Sequence, residues 1–305
     1  MKNKILFVIC TLLLAGCAGI FKKGNSEHRH FLWKVSDENS SVWVLGSIHF
    51  ADSTFYPLDS VIETAFSNAE ELAAEININD DSVSQDVANK MLKQGLLPKG
   101  STLDMVIPED MWKTIDSLCL AWGYPPILLK RFRPWFAATT LSGIAFQHVG
   151  INPEYGIDAV LLERAANDGK TIVGLETADD QVNAVADTGS TDSSGIFYLK
   201  TTLREISELD SMISQMIRAW KTGDVELLRK AMNEDGFVDA ADSTIQKNLE
   251  ERMYISRNEK MSESIAEFLR DDRNVFVVVG VAHLTLDDDN VISLLRKKGF
   301  TVEQF

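Results

Sequence analysis

The sequence predicts an α/β domain: a two-half mixed sheet flanked by helices, with a central helical insertion. Three observations predict it. Short apolar strand patterns alternate with helical ones near both ends of the chain. The stretch between them is charged and helical in its apolar spacing. Two apolar strands, one near each end, finish in the same Gly-x-x-His form.

Taken in order, residues 31–35 and 42–48 are β-rich runs joined by Ser36-Asp37-Glu38-Asn39-Ser40, a hairpin signal. Residues 58–69 have helical spacing, and 72–76 read as a short buried strand. Helices are expected at 82–93 and 108–122. Pro108 suits the first helical position of the second, with Glu109 and Asp110 behind it, where acids favour the helix dipole. Residues 134–149 read as an apolar helix, and 157–168 as another, stopped by Gly169. A strand follows at 171–175. Residues 187–194 are rich in Gly, Ser, Thr and Asp and read as a mobile loop or subdomain boundary. From 195 to 269 the pattern is helical in several pieces. Residues 274–279 form the strongest strand of the chain, followed by a helix at 290–298 closed by Gly299 and a last strand at 301–305. Trp112, Trp122, Trp135 and Trp220 fall at helical positions and are expected in the core. His148 is expected at a helix end or in the core.

The N-terminus carries a different kind of signal. Lys2 and Lys4 precede an apolar stretch, 5–14, too short to span a bilayer as a helix. It runs into Leu14-Ala15-Gly16-Cys17, which resembles the lipobox of bacterial lipoproteins. The expected organisation is a leader over 1–16, a lipid on Cys17, a tether over 17–30 and one large domain over 31–305. His28 and His30 are expected to be solvated in the tether. Attachment is then by anchor, which places the soluble domain outside the cytoplasm in the cell envelope. Ala18, the residue after the lipidated Cys, favours the outer membrane or cell surface.

A formal net charge of −15 excludes nucleic acid as a partner and disfavours an anionic lipid surface. Of three cysteines, Cys10 lies in the leader and Cys17 takes the lipid. Cys119 alone remains, so the domain forms no internal disulfide, and its apolar surroundings make Cys119 a buried small hydrophobe rather than a nucleophile.

The chemistry concentrates at strand ends. Val42-Trp43-Val44-Leu45-Gly46-Ser47-Ile48-His49 and Val275-Phe276-Val277-Val278-Val279-Gly280-Val281-Ala282-His283 share one form. Ligands of open α/β sheets bind beyond the carboxyl ends of the strands. Two further predicted strands run into carboxylates, Glu75 and Glu176. Two imidazoles and a carboxylate are enough to hold a divalent ion with positions open to water. Structural roles for the same groups remain alternatives.

The two Gly-x-x-His motifs with Glu75 resemble the TraB/GumN family, which includes the Tiki-type metalloproteases and is similar in fold to erythromycin esterase-like and haem-binding lipoprotein proteins. Tyr155-Gly156-Ile157-Asp158, Gly174-Leu175-Glu176-Thr177, Ala219-Trp220-Lys221-Thr222-Gly223-Asp224 and Arg257-Asn258 with Met261 resemble its other segments in order. The resemblance implies His49, Glu75 and His283 as ligands of Mn, Co or Zn, and a peptide or protein substrate. It implies a metal-dependent hydrolase, a peptidase above all, which the lipobox-like leader would make lipid-anchored through Cys17. The alternatives are a non-catalytic binding lipoprotein for haem, metal or peptide, and a metal-free hydrolase with a His general base. Asp158 is expected to orient a site residue or to serve a helix start. Glu176 is a fourth ligand, a general base or a structural group. Arg257 stabilises an oxyanion or pairs with a buried carboxylate. Asn258 orders backbone or binds substrate. In place of the family's Gly-rich turn after the second motif stand Asp287, Asp288 and Asp289, with Asp289 expected to cap the following helix.

Overall fold

The hairpin forms as its pattern dictates. β1 (Leu32–Ser36) pairs antiparallel with β2 (Ser41–Ser47), and the Asp37 carboxylate closes the turn by accepting the N–H groups of Asn39 and Ser40. The structure is a computed structural model that describes residues 29–186, 192–232, 243–286 and 288–305. The leader, Cys17, His28, residues 187–191 of the Gly/Ser-rich stretch and Asp287 lie outside the described residues. No described helix is long and apolar enough to cross a membrane.

After the hairpin come α1 (Ser60–Asn68) and β3 (Glu71–Ala74). A helical stretch follows: α2 (Asp81–Gly95), α3 (Leu103–Val106), α4 (Glu109–Ala121), α5 (Pro134–His148) and α6 (Ile157–Asn167). β4 (Thr171–Gly174) interrupts it. The second stretch comprises α7 (Ala178–Ala186), α8 (Asp192–Ser207), α9 (Leu209–Thr222), α10 (Val225–Met232) and α11 (Ser243–Glu250). A single π-helical turn, Glu251–Ile255, then leads into α12 (Ser256–Arg270). β5 (Val275–Gly280), α13 (Val281–Thr285), α14 (Val291–Lys297) and β6 (Thr301–Gln304) complete the chain. The predicted single insertion is thus two helical stretches divided by an edge strand.

The sheet order is β4-β3-β5-β2-β1-β6. β4, β3, β5 and β2 are mutually parallel along that order, while β1 runs antiparallel to both β2 and β6. β5, from late in the chain, therefore enters between β2 and β3, which follow one another in sequence. Its run Val275-Phe276-Val277-Val278-Val279 is buried at every position, as a parallel strand covered on both faces must be. β4 and β6 are only four residues long and half exposed, which blunts the two edges. The result places the carboxyl ends of four parallel strands side by side, and the segments leaving those ends carry Glu176, Glu75, His283 and His49.

One apolar core lies on the sheet, joined by α1, α6, α9 and α12; a second fills the helical stretches with Met91, Ile115, Trp135, Phe136, Val182 and Tyr198. α5, apolar on every side, is buried within them, as such a helix must be. Trp135 and Trp220 are buried as expected, but Trp112 and Trp122 are only half buried, because they sit on the outward side of α4 and at its end. Cys119 is buried, and burial pushes its thiol up to about 11, which rules out a ready thiolate. His148 is an exposed helix-end residue.

Several local expectations change. Pro108 occupies the N-cap rather than the first helical position, since its ψ of 144° is extended. Asp289 does not cap α14. Asn290 does, accepting the Ser293 N–H at 2.9 Å, while Asp289 pairs with Lys297. His30 is not solvated: it is half buried, its N–H bonds the Phe305 carbonyl and its ring lies 3.6 Å from Asp59. Residues 192–194 belong to α8 rather than to a loop.

Half-buried Glu205 on α8 yields a stability test. Burial pushes its carboxyl up to about 8, with Arg204 opposing and Glu208 reinforcing. A carboxyl raised in the folded state costs stability once pH exceeds its unfolded value, and the cost grows until its folded value is passed. Glu205→Gln is therefore expected to raise the melting temperature at pH 8.5 by about 3–8 °C and to leave it unchanged near pH 4.5. Thermal melts at the two pH values check it.

Candidate functional site

Gly280 stands at the centre of the site. It ends β5, and its N–H donates to Glu75 Oε1 at 2.6 Å. An added Cβ there would meet His49 Nε2 at 3.1 Å, Glu75 Oε1 at 3.2 Å and His283 Cδ2 at 3.7 Å. The three predicted ligands thus surround one small space that only a glycine leaves open. His49 Nε2 and His283 Nε2 lie 4.0 and 3.9 Å from Glu75 Oε1. His283 is not at the strand end itself, as the repeated motif suggests, but in α13, the short helix that begins directly after Gly280.

Each imidazole is fixed through its other nitrogen. His49 Nδ1 is 3.0 Å from Asp158 Oδ1. Burial lowers the imidazole, but Asp158 and then Glu75 outweigh it and bring it up to about 9. His283 Nδ1 is 2.7 Å from Asn258 Oδ1, so the N–H sits on Nδ1 and the Nε2 lone pair faces the cluster. Burial, with Arg257, brings His283 down to about 3, which keeps its ring neutral. Its Nε2 is buried and has no hydrogen-bond partner among the described residues.

Glu75 is braced from behind. Arg257 Nη2 donates to Glu75 Oε2 at 2.8 Å and to Glu176 Oε2 at 2.7 Å, Nε to Glu176 Oε1 at 2.7 Å, and Nη1 to the Met253 carbonyl at 2.9 Å. That carbonyl belongs to the π-helical turn, a local widening common near functional sites. Gln181 donates to Glu75 Oε2 and to Glu176. Burial opposes ionisation of Glu75, but Arg257, His49 and the Gly280 N–H hold its carboxyl below the ordinary range. Arg257 spends its donors on carboxylates and a carbonyl rather than on an open cleft. Both Glu176 oxygens accept hydrogen bonds and its side chain is fully buried. The geometry gives Glu176 a bracing place behind Glu75, and Asp158 both a helix first turn and the close charge contact with His49.

The remaining motifs position these groups. Gly156 has no side chain where a Cβ would lie 2.3 Å from the His49 carbonyl oxygen, and Ile157 N–H bonds the Ile48 carbonyl at 3.0 Å. Together they pin the start of α6, and so Asp158, against His49. Gly46 lets Val281 pack at the base of α13. Trp220 Nε1 donates to the Gly46 carbonyl at 2.8 Å, tying α9 to the end of β2. Gly223, left-handed at φ 62°, ends α9. Gln181 and Ser47 carry no sequence signal and are found only in space.

Among the described residues no group of three or more His, Cys, Asp or Glu is arranged as a finished metal site. Donors sharing one ion at bond lengths near 2.1 Å lie roughly 3.4 Å apart at tetrahedral angles. The 3.9 and 4.0 Å spans are about half an ångström wider. The donor types, the buried unpartnered Nε2 and the space at Gly280 fit a divalent ion after a small closure.

Comparison with known proteins agrees with the motif order. The model of the TraB/PrgY/gumN family matches residues 31–304. The uncharacterized protein YbaP of Escherichia coli (strain K12) is 25% identical over 195 residues, 63% of this chain and 69% of YbaP. An uncharacterized protein of Treponema pallidum (strain Nichols) is 21% identical over 305 residues, 95% of this chain and 90% of that protein. No solved structure matches. With the match spanning every described strand, the chain belongs to the TraB/PrgY/gumN family.

Proposed function

We propose that this protein is a metal-dependent hydrolase of the cell envelope, lipid-anchored through Cys17 and acting on peptides. The single observation that supports it is the enclosure of one glycine-bounded space by His49 Nε2, Glu75 Oε1 and the His283 ring. His49, Glu75 and His283 would hold Mn, Co or Zn. Such an ion, when bound, lowers the pKa of water and polarises a carbonyl. The chain's own residues prepare that place. Asp158 and Asn258 set the two imidazole orientations, as outer-sphere partners of metal-binding histidines do. Arg257 keeps Glu75 ionised and fixes which of its oxygens faces the histidines. Kinship in fold with the Tiki-type and erythromycin esterase-like proteins belongs to the same reading.

The test is incubation of the purified full-length chain with Mn, Co or Zn and a broad peptide library, read by mass spectrometry. Chelator-sensitive cleavage is expected. Folded protein that cleaves nothing with any of the three ions contradicts the hydrolase reading. Labelled lipid incorporated by the wild type and lost in Cys17→Ser checks the anchor.

A further inference from the structure

An apolar pocket opens directly off the site. His49, Gly280 and His283 form one end of it, and Phe146 of α5, Ile213 and Met216 of α9, and Met232 of α10 form the walls. These four wall residues are buried and carry no charge. The same two imidazoles therefore face both the space at Gly280 and the pocket. A group held at the first places its neighbour at the mouth of the second.

Ser47 supplies an independent observation. It lines the pocket, is 1% exposed, and its Oγ has no hydrogen-bond partner among the described residues. A buried hydroxyl left unpaired is costly, and a ligand's amide group would satisfy it. Beyond the two imidazoles at its end, the pocket thus offers the Ser47 hydroxyl beside an apolar wall, the combination that a peptide unit with an apolar side chain presents.

Size narrows the choice. The cavity measures about 70 Å³. A water-sized group occupies about 10–15 Å³ on this measure, so there is room for about five such groups. The four heavy atoms of a leucine, isoleucine or methionine side chain fit. An indole does not. Away from His49, a carboxylate or ammonium group would be stripped of water against walls that offer no counter-charge.

We propose that this pocket receives an aliphatic side chain of leucine or methionine size from a peptide bound at the His49–His283 site, with the Ser47 hydroxyl bonding the adjoining peptide unit. The proposal deepens the hydrolase reading and rests on it for the kind of ligand. Filling the pocket is expected to tighten binding about 10–100-fold over glycine at the same position.

The experiment uses the full chain labelled with ¹³C at methionine methyl groups, so that Met216 and Met232 report from the pocket walls. The probes are acetylated, amidated pentapeptides of glycine whose central residue is Leu, Met, Gly, Asp or Trp, with decanoate as a separate probe. The Leu and Met peptides are expected to shift both methyl signals and to bind at least about 10-fold tighter than the Gly, Asp and Trp peptides. Ile213→Trp should abolish the shifts by filling the pocket, and Ser47→Ala should weaken binding about 3–10-fold. Equal affinity for the Leu and Gly peptides, or shifts caused by decanoate alone, overturns the proposal. Binding needs neither metal nor turnover here. Leu-selective binding without cleavage under any ion keeps the pocket and removes the hydrolase reading. Cleavage with no preference at any position removes the pocket and keeps the hydrolase.

Discussion

Arg257→Leu is expected to cost about 3–5 kcal/mol of stability and to lower the melting temperature by about 6–20 °C. Arg257 binds two carboxylates at once, and Glu176, one of them, is fully buried. Burial already pushes the Glu176 carboxyl above its ordinary range against the pull of Arg257. Without the guanidinium, Glu75 and Glu176 face each other with only Gln181 shared between them. Both carboxyls then sit above their unfolded values, so the loss is greatest at neutral pH and shrinks as pH falls below about 4.5. The wild type behaves oppositely at Glu75. Its carboxyl is depressed on folding, so its contribution is present above the unfolded value and lost in acid. A second change, Glu176→Leu, removes one buried charge and should recover part of the loss through a coupling of about 1–3 kcal/mol. Denaturant melts of the two single variants and the double variant at pH 4.5 and 7.5 check both the size and the sign.

Gly280→Ala is expected to leave the fold intact and to weaken metal binding and metal-dependent cleavage about 100-fold or more. Gly280 has φ −53° and ψ 134°, angles that alanine adopts without strain. The Gly280 N–H to Glu75 survives the change. What changes is one methyl group, placed 3.1 Å from His49 Nε2 and 3.2 Å from Glu75 Oε1. It fills the space assigned to the ion. A melting temperature within a few degrees of wild type, with metal binding lost by titration calorimetry, is the expected pair of results. Unchanged metal affinity would place the ion elsewhere.

The strand ends were legible because their chemistry is local. Gly-x-x-His after an apolar run, read twice, identified His49 and His283, and β5 was legible because five consecutive apolar residues have few other uses. The order of the sheet was not legible. That β5 enters between β2 and β3 depends on which faces pack together, and sequence spacing does not encode it. The same gap hid the role of Arg257. A buried carboxylate was one of its two expected partners, but only the folded arrangement brings Glu75 and Glu176 to it together. Asn258 had two possible duties, ordering backbone or binding substrate; in the fold its Nδ2 donates to the Asp289 carbonyl at 3.2 Å while its Oδ1 accepts from His283 Nδ1, a side-chain contact that spacing does not encode. Gln181 lies on the buried side of α7 beside Ala178, Val182 and Val185, where only packing, and not spacing, brings its amide to Glu75 and Glu176. α13 is not legible because five residues are too few to show a helical apolar period, and Val281 and Thr285 are β-branched.

Metal content of the purified full-length protein tests the central claim most directly. Wild type, His49→Ala and His283→Ala would each be loaded with Mn, Co or Zn, desalted and measured by elemental analysis, with circular dichroism confirming that each stays folded. The shared site at Gly280 predicts about one equivalent in wild type and loss in both variants. Equal metal in all three folded proteins, or none in the wild type, would contradict it.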